Sequence, residues 1–252
     1  MARAGVTHIQ PGLESLSTAV LKHMRKGVTA AQNVNVLRWA RYYGMDVAWN
    51  VLWGIPGENA KDYAQQSTLV PNLVHLQPPE TDGRIWLERF SPMFTELPDD
   101  RFRFKVPERS YSYVYPAGID LTQAAYFFDY ELKDALPDRA FEDLARAIEK
   151  WRMAWRDTQP VLTYWFAPGL LQIYDGRRPG HKRSYTFRGE AAEVYHACSE
   201  RPRSAAAVHD ELGLDLGVGE VQRLFDQFER LGMMMLDGKH ALALALPAVT
   251  GR

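Results

Sequence analysis

Cysteine is nearly absent from this sequence: Cys198 is the only one in 252 residues. One thiol cannot close an internal disulfide, and it cannot supply the sulfurs of a Cys₄ zinc site or of a self-contained iron–sulfur cluster. The compartment this usage points to is the cytoplasm. Long apolar runs are missing too. No stretch reaches the ~18 consecutive apolar residues of a spanning helix, and Met1 to Gly5 is not followed by the apolar core of a signal peptide, so the chain reads as soluble. The third absence is an excess of charge. Lys and Arg number 30 against 31 Asp and Glu, a net charge of -1, which argues against a general nucleic-acid binder or a polybasic membrane-surface protein. What is present is ordinary for a folded chain. Hydrophobic residues make up 46% and charged residues 24%, values that exclude whole-chain disorder and collagen-like repeats and leave enough length to bury a core.

The first hundred residues alternate strand and helix signals. Gly5 to Gly12 reads as a strand running into a Pro11-Gly12 loop, and Ser15 or Ser17 can cap a helix ending near Gly27. Thr29 opens a longer helix that stops at Gly44. Asp46 to Trp53 reads as a buried strand, followed by the turn Gly54-Ile55-Pro56-Gly57-Glu58 and a helix from about Lys61 to Val74, kinked or split at Pro71. A further strand is expected over Arg84 to Phe90. This order at this spacing marks repeated β-α units on a parallel sheet.

The middle and the end differ. In Arg101 to Val106 basic and apolar residues alternate, placing Phe102, Phe104 and Val106 inward. Arg139 to Arg156 is the clearest amphipathic helix, with Leu144, Ile148, Trp151 and Trp155 on one face. Val161 to Ala167 and Leu170 to Tyr174 flank Pro168-Gly169 as a hairpin, and Arg177 to Arg183 reads as a basic linker. All seven tryptophans lie at or before Trp165. After Tyr185 come three helices, Gly189 to Ser199, Ser204 to Leu212 and Gly217 to Leu231. A strand pair, Met233 to Leu236 and His240 to Leu246, closes the chain around Asp237-Gly238 in a winged-helix-like order. Three regions are therefore expected, 1–100, 101–183 and 184–252.

Chemistry concentrates in three loops at the carboxyl ends of the expected parallel strands, where sites of α/β sheets and barrels collect. Gln10, Gly12, Glu14 and Ser15 stand in the first. Asn50, Gly54, Pro56, Gly57 and Glu58 stand in the second, and Glu88 and Ser91 in the third. Singly each motif is weak: Gly-x-Pro-Gly-Glu also suits a plain strand-to-helix turn, and Glu14 and Glu58 also suit first-turn helix acids.

Taken together, Gly5 to Gly27 (GVTHIQPGLESLSTAVLKHMRKG), Gln32-Asn33 and Asp46 to Glu58 (DVAWNVLWGIPGE) resemble the fourth and fifth strand regions of a radical S-adenosylmethionine (SAM) enzyme. They look particularly like the cobalamin-type proteins that mature ribosomally made peptides. The likeness extends through Leu87 to Phe94, Ala125 to Tyr130 and the winged-helix-like tail. It implies an α/β fold: the second half of a partial (β/α)6 barrel, then an α+β region and a small winged-helix-like domain. In that family a 4Fe–4S cluster and SAM act together, often behind a cobalamin domain. SAM is cleaved reductively to a carbon radical, commonly followed by methylation of a peptide carbon.

Position by position, the resemblance assigns Gln10, Glu14 and Ser15 to the ribose and amino-acid end of SAM. It assigns Arg25 or Lys26 to the SAM carboxylate and the Gly54 to Glu58 turn to the adenine, with Asn50 of the same loop a further cofactor-binding candidate. Glu88 and Ser91 fall at the sixth-strand end. The family's CxxxCxxC loop, the strands before the fourth and the cobalamin domain are not in this sequence. The chain therefore looks like part of a truncated or split enzyme, unable to ligate the cluster by itself. The implied partners are a precursor peptide and a missing N-terminal half, whose absence would leave an open edge on the first strand. A second reading is a non-catalytic peptide-recognition protein derived from such an enzyme. Arg177 to Arg183 reads as a solvated linker, with a docking strip for an acidic leader peptide as its functional alternative. Nucleic acid is not an expected partner, because Gly219 to Leu231 carries Arg223 and Arg230 against Glu220, Asp226 and Glu229. The seven histidines show no metal-ligand spacing, and His196 and Cys198 point to different faces of one helix.

Overall fold

The structure, a computed structural model, describes residues 1–248. Its first part is built on parallel strands. β1 (His8–Ile9) leads to α1 (Thr18–His23), capped by the Ser17 hydroxyl on the Val20 N–H, and α2 (Ala30–Tyr42), opened by a capping box between Thr29 and Gln32. β2 (Asp46–Val47) and β3 (Asn50–Trp53) follow, then α3 (Ala60–Leu73) and β4 (Thr81–Arg84). His8 and Ile9 pair in parallel with Asp46 and Val47, Glu14 bridges to Val51, and Asn50 to Trp53 pair in parallel with Thr81 to Arg84. Three parallel chain segments thus lie side by side, with α2 and α3 as crossovers.

Two expectations need correcting here. The 46–53 segment is not one strand: it breaks at Ala48-Trp49, where the Trp49 side chain is buried and its Nε1 donates to the Gln77 carbonyl. The third parallel strand is not Arg84 to Phe90 but Thr81 to Arg84, a polar TDGR run with no apolar period to announce it. Pro71 lies inside α3 without splitting it.

Residues 87–132 form a separate antiparallel sheet. Its strands are β5 (Leu87–Glu88), β6 (Phe102–Pro107) and β7 (Phe127–Leu132), in the order β5-β7-β6. Short helices α4 (Pro92–Thr95), α5 (Tyr111–Val114) and α6 (Leu121–Ala124) connect them. A small core of Leu87, Phe102, Ala125, Phe128 and Leu132 holds it. The register slips between Phe102 and Phe104, so only Phe102 of the three expected inward residues is buried; Phe104 and Val106 are exposed.

The rest begins with α7 (Glu142–Thr158), whose Leu144, Ile148 and Trp151 are buried. The Trp151 indole N–H donates to the Leu76 carbonyl and stands edge-on to Trp49. β8 (Leu162–Ala167) and β9 (Leu170–Asp175) form the expected hairpin, and β10 (Arg183–Arg188) continues it as a third strand. Position 184 therefore lies within a sheet. Next come α8 (Glu190–Ala197), β11 (Arg203–Ser204), α9 (Ala205–Leu212), α10 (Val218–Arg230), β12 (Met234–Asp237) and β13 (His240–Ala243). β14 (Leu246–Pro247) returns to pair in parallel with β8. The two sheets run β10-β9-β8-β14 and β11-β13-β12. One hydrophobic core extends from Leu13 to Ala245. The architecture is mixed α/β with small sheets, and among the described residues no sheet closes into a barrel.

Arg177 departs from the reading of 177–183 as a solvated linker. Its guanidinium is buried, donates to Asp175 and to the carbonyls of Asn72 and Gly232, and ties the β9–β10 loop to α3 and α10. No helix among the described residues is long and apolar enough to cross a membrane.

Candidate functional site

The carboxyl ends of the three parallel segments meet at one rim. On the first, the Glu14 carbonyl accepts from the Leu52 N–H at 2.9 Å, and the residue is held at φ 59, a left-handed conformation uncommon outside glycine. Its carboxylate takes the Lys26 ammonium at 2.6 Å. On the second, the chain leaves β3 through Gly54 at φ 82 and closes a turn around the Glu58 carboxylate. Glu58 Oε2 accepts from the Gly54 N–H at 2.8 Å, the Ile55 N–H at 2.9 Å and the Tyr63 hydroxyl. Burial first, then the bond to Glu58, pushes the Tyr63 phenol above its ordinary value, so it remains a proton donor. Glu58 Oε1 is buried and has no hydrogen-bond partner among the described residues.

On the third segment Arg84 lies across Gly54: a Cβ added there would sit 2.7 Å from Arg84 Cγ. The same guanidinium reaches Asp138 at 2.9 Å and stands 5.7 Å from the Phe141 ring centroid. A Cβ on Gly57 would stand 3.2 Å from the His23 imidazole, so the turn packs on the end of α1. The rim brings together two cations, Lys26 and Arg84, each already paired with a carboxylate, and a buried carboxylate oxygen of Glu58. The Tyr63 phenol beside it is committed to Glu58.

Of the sequence-predicted residues, Glu14, Lys26, Gly54, Gly57 and Glu58 come together, with Pro56 half-buried in the turn between the two glycines. Others do not join them. Ser15 is buried, its hydroxyl donating to Gln66 Oε1 at 3.0 Å and accepting from the Ser17 N–H, so it is spent on the fold. Arg25 is exposed and pairs with Glu96 at 2.6 Å. Asn50 Oδ1 accepts from Thr81 Oγ1 at 2.7 Å. Gln10 lines a different groove, of about 720 Å³, with Pro11, Asn35, Trp39, Met45 and Arg201. Glu88, in β5 of the antiparallel sheet, accepts from the Tyr126 hydroxyl at 3.3 Å, and Ser91 caps the connecting helix α4 through the Phe94 N–H.

Sequence reasoning missed Arg84, Tyr63 and His23. Arg84 had a signal, its cation directly before an apolar run, but reading it as a strand's first residue hid that it is the last of one. Among the described residues no group of three or more His, Cys, Asp or Glu side chains is placed to hold a metal ion. Cys198 is buried, and burial pushes its thiol up to about 12, so it is neither a ready ligand nor a nucleophile.

A family profile described as the radical SAM superfamily matches residues 1–65. That stretch contains β1 to β3, the Glu14–Lys26 pair and the whole Gly54 to Glu58 turn. Among curated proteins nothing matches the chain. The likeness to the radical SAM superfamily, whose members use SAM and an iron–sulfur cluster, thus covers the first quarter of the chain.

Proposed function

We propose that this chain supplies one wall of a SAM pocket in an enzyme that modifies, by C-methylation in the leading form, a ribosomally made precursor peptide. In this proposal the cluster, and any cobalamin, is carried by another polypeptide segment. The observation that carries it is the convergence of Glu14, Lys26 and the Gly54 to Glu58 turn at the carboxyl ends of parallel strands within residues 1–65. What supports SAM is Lys26, which can pair with its carboxylate by exchanging Glu14, and the Gly54 to Glu58 turn, whose backbone could approach a flat ring only if the Arg84 side chain lying across Gly54 moves aside. They do not fit an iron–sulfur cluster, since the single thiol is buried in the opposite half of the sequence. SAM, when bound, supplies the group to be cleaved; the chain's own residues bind and orient it.

Equilibrium dialysis with labelled SAM tests this. The chain should retain SAM, and Lys26→Glu and Gly54→Val should each weaken retention roughly tenfold or more, a loss of about 1.4 kcal/mol. Co-expression with a segment bearing CxxxCxxC should then give iron–sulfur absorbance and SAM cleavage. Failure of both experiments sinks the proposal.

The winged-helix-like tail and the precursor peptide belong to the same proposal. A second reading, a non-catalytic peptide-recognition protein, is favoured by one observation. The rim is closed on itself: Glu14 holds Lys26, and Glu58 already occupies the Gly54 and Ile55 N–H groups. Under that reading SAM is not retained and peptide binding persists.

A further inference from the structure

The antiparallel sheet of residues 87–132 has an outer face that its core does not explain. Leu87, Phe102, Phe128 and Leu132 pack into that core. Side chains alternate along a strand, so the residues between them point the other way, into solvent. An antiparallel sheet that is wet on one side ordinarily carries polar residues there. This one does not. Phe104 and Val106, which sequence alternation places inward, stand exposed opposite Glu131 and Asp129 of β7. Phe127 stands opposite Glu88. Trp86, 70% exposed, sets its ring edge-on to Phe127 with 5.2 Å between centroids. Large apolar side chains gathered on one face, rather than scattered singly, mark an interaction surface.

The carboxylates standing among them decide what can cover this face. Glu131 meets one cation, Arg103 Nε at 3.3 Å, whereas Asp129 has no ion-pair partner among the described residues. Glu88 accepts only the Tyr126 hydroxyl among the described residues. The nearby cations are engaged elsewhere. Lys105 is bonded to Asp99 and lies over the Phe94 and Phe102 rings, Arg101 holds Asp134, and Arg89 donates to the Ala125 and Thr122 carbonyls. A purely apolar partner would bury carboxylates without counter-ions, at high cost, and nucleic acid or an anionic membrane would be repelled. A surface with cations set among apolar groups answers both demands, since the faces of Trp86 and Phe127 also attract cations. The β6 edge is no alternative landing place. Its Arg103, Lys105 and register slip are features that blunt an edge against strand addition. The three strands together span about 10 Å, the diameter of one helix.

We propose that this outer face binds a helix of another protein that presents lysine and arginine among apolar residues. Its apolar groups lie on Trp86, Phe127, Phe104 and Val106, and its cations reach Glu88, Asp129 and Glu131. Charge complementarity sets which partner is accepted, and apolar burial holds it. The surface lies outside residues 1–65 and does not depend on the SAM pocket.

The probe is a fluorescein-labelled amphipathic peptide of about five helical turns, built from leucine and lysine at helical spacing. It is titrated with the whole chain and followed by anisotropy, beside a counterpart with Glu for Lys. The basic helix should bind, and the acidic one should bind roughly tenfold or more weakly. Asp129→Lys and Phe104→Lys, both at exposed positions, should each weaken binding by roughly tenfold. Glu200→Lys, a charge reversal at an exposed residue after α8, should leave it unchanged. On the unaltered chain, hydroxyl-radical oxidation of Trp86 and Phe104 should fall when the basic peptide is added. Equal binding of the two peptides, a loss in Glu200→Lys matching that in Asp129→Lys, or undiminished oxidation of Trp86 and Phe104 would each overturn the proposal. So would sedimentation of the chain as a dimer that Phe104→Lys dissociates, because the occupant would then be a second copy.

Discussion

His75 shows how a single residue can set an acid limit on this fold. It is fully buried after α3, and its Nε2–H donates to the Leu244 carbonyl at 3.0 Å while Nδ1 has no partner among the described residues. Burial, then the nearby Arg177 guanidinium, lowers its pKa from the ordinary 6.5 to about 3. Asp175, which faces it, is itself held below the usual carboxylate range: burial alone would raise it, but the bonds and charge of Arg177 prevail. Between pH 6.5 and 3 the unfolded chain takes up a proton at His75 that the folded chain refuses, so stability falls as pH falls through that window. The expected loss from this group is about 2 kcal/mol between pH 6.5 and 5. Urea titrations at the two pH values measure it, and His75→Gln, which keeps a donor to Leu244 without a titrating ring, should remove that share of the slope. A variant with the wild-type slope would show that His75 is not its source.

At the scale of elements, the helices were far more legible than the strands. The N-cap of α2 is a local device: Thr29 accepts from the Gln32 N–H while Gln32 Oε1 accepts from the Thr29 N–H at 2.8 Å, both partners lying within one turn of sequence. Thr29→Ala should cost about 1 kcal/mol in the same urea titration, and Gln32→Ala less, since only the return bond is lost. The strands depend on partners distant in sequence. Thr81 to Arg84 has no apolar alternation and is a strand because β3 lies beside it; the exposed Phe104 and Val106 follow from a register slip that no single-strand pattern encodes. The candidate site divides the same way. Gly54 and Glu58 are legible because the turn and its cap are contained in five residues. Ser15 is misread because its partner, Gln66, is 51 residues away, and Arg84 becomes part of the site only through the close approach to Gly54.

At the scale of the whole molecule, the question is whether the first and last thirds fold together. Arg38 on α2 argues that they do. It is fully buried, and it donates to Asn35 Oδ1, to the Ser199 carbonyl at 2.8 Å and to the Ala245 carbonyl at 2.9 Å. Burial lowers its pKa to about 10, which still leaves it charged at neutral pH. A charge in that position without its carbonyls would be costly to bury, so α2 and the β13 end are coupled through it. Trp39 adds a bond to the Glu200 carbonyl, and the Thr18 hydroxyl donates to Asp237 at 2.7 Å. The sequence also provides two independent reporters: the tryptophans all lie at or before Trp165, and the single thiol is Cys198 on the far side of that boundary. A shared core predicts coincident urea midpoints for tryptophan fluorescence and for Cys198 reaction with a thiol reagent, the thiol being inert while the fold holds. Only a minor early step is expected, from the small 87–132 sheet, where exposed Trp86 packs edge-on to Phe127. Arg38→Ala should lower both midpoints together, by at least about 3 kcal/mol in stability, because it strands buried carbonyls on two distant segments. Cys198 becoming reactive well before the main fluorescence transition would mean instead that the helical tail is an independent domain resting on the parallel sheet.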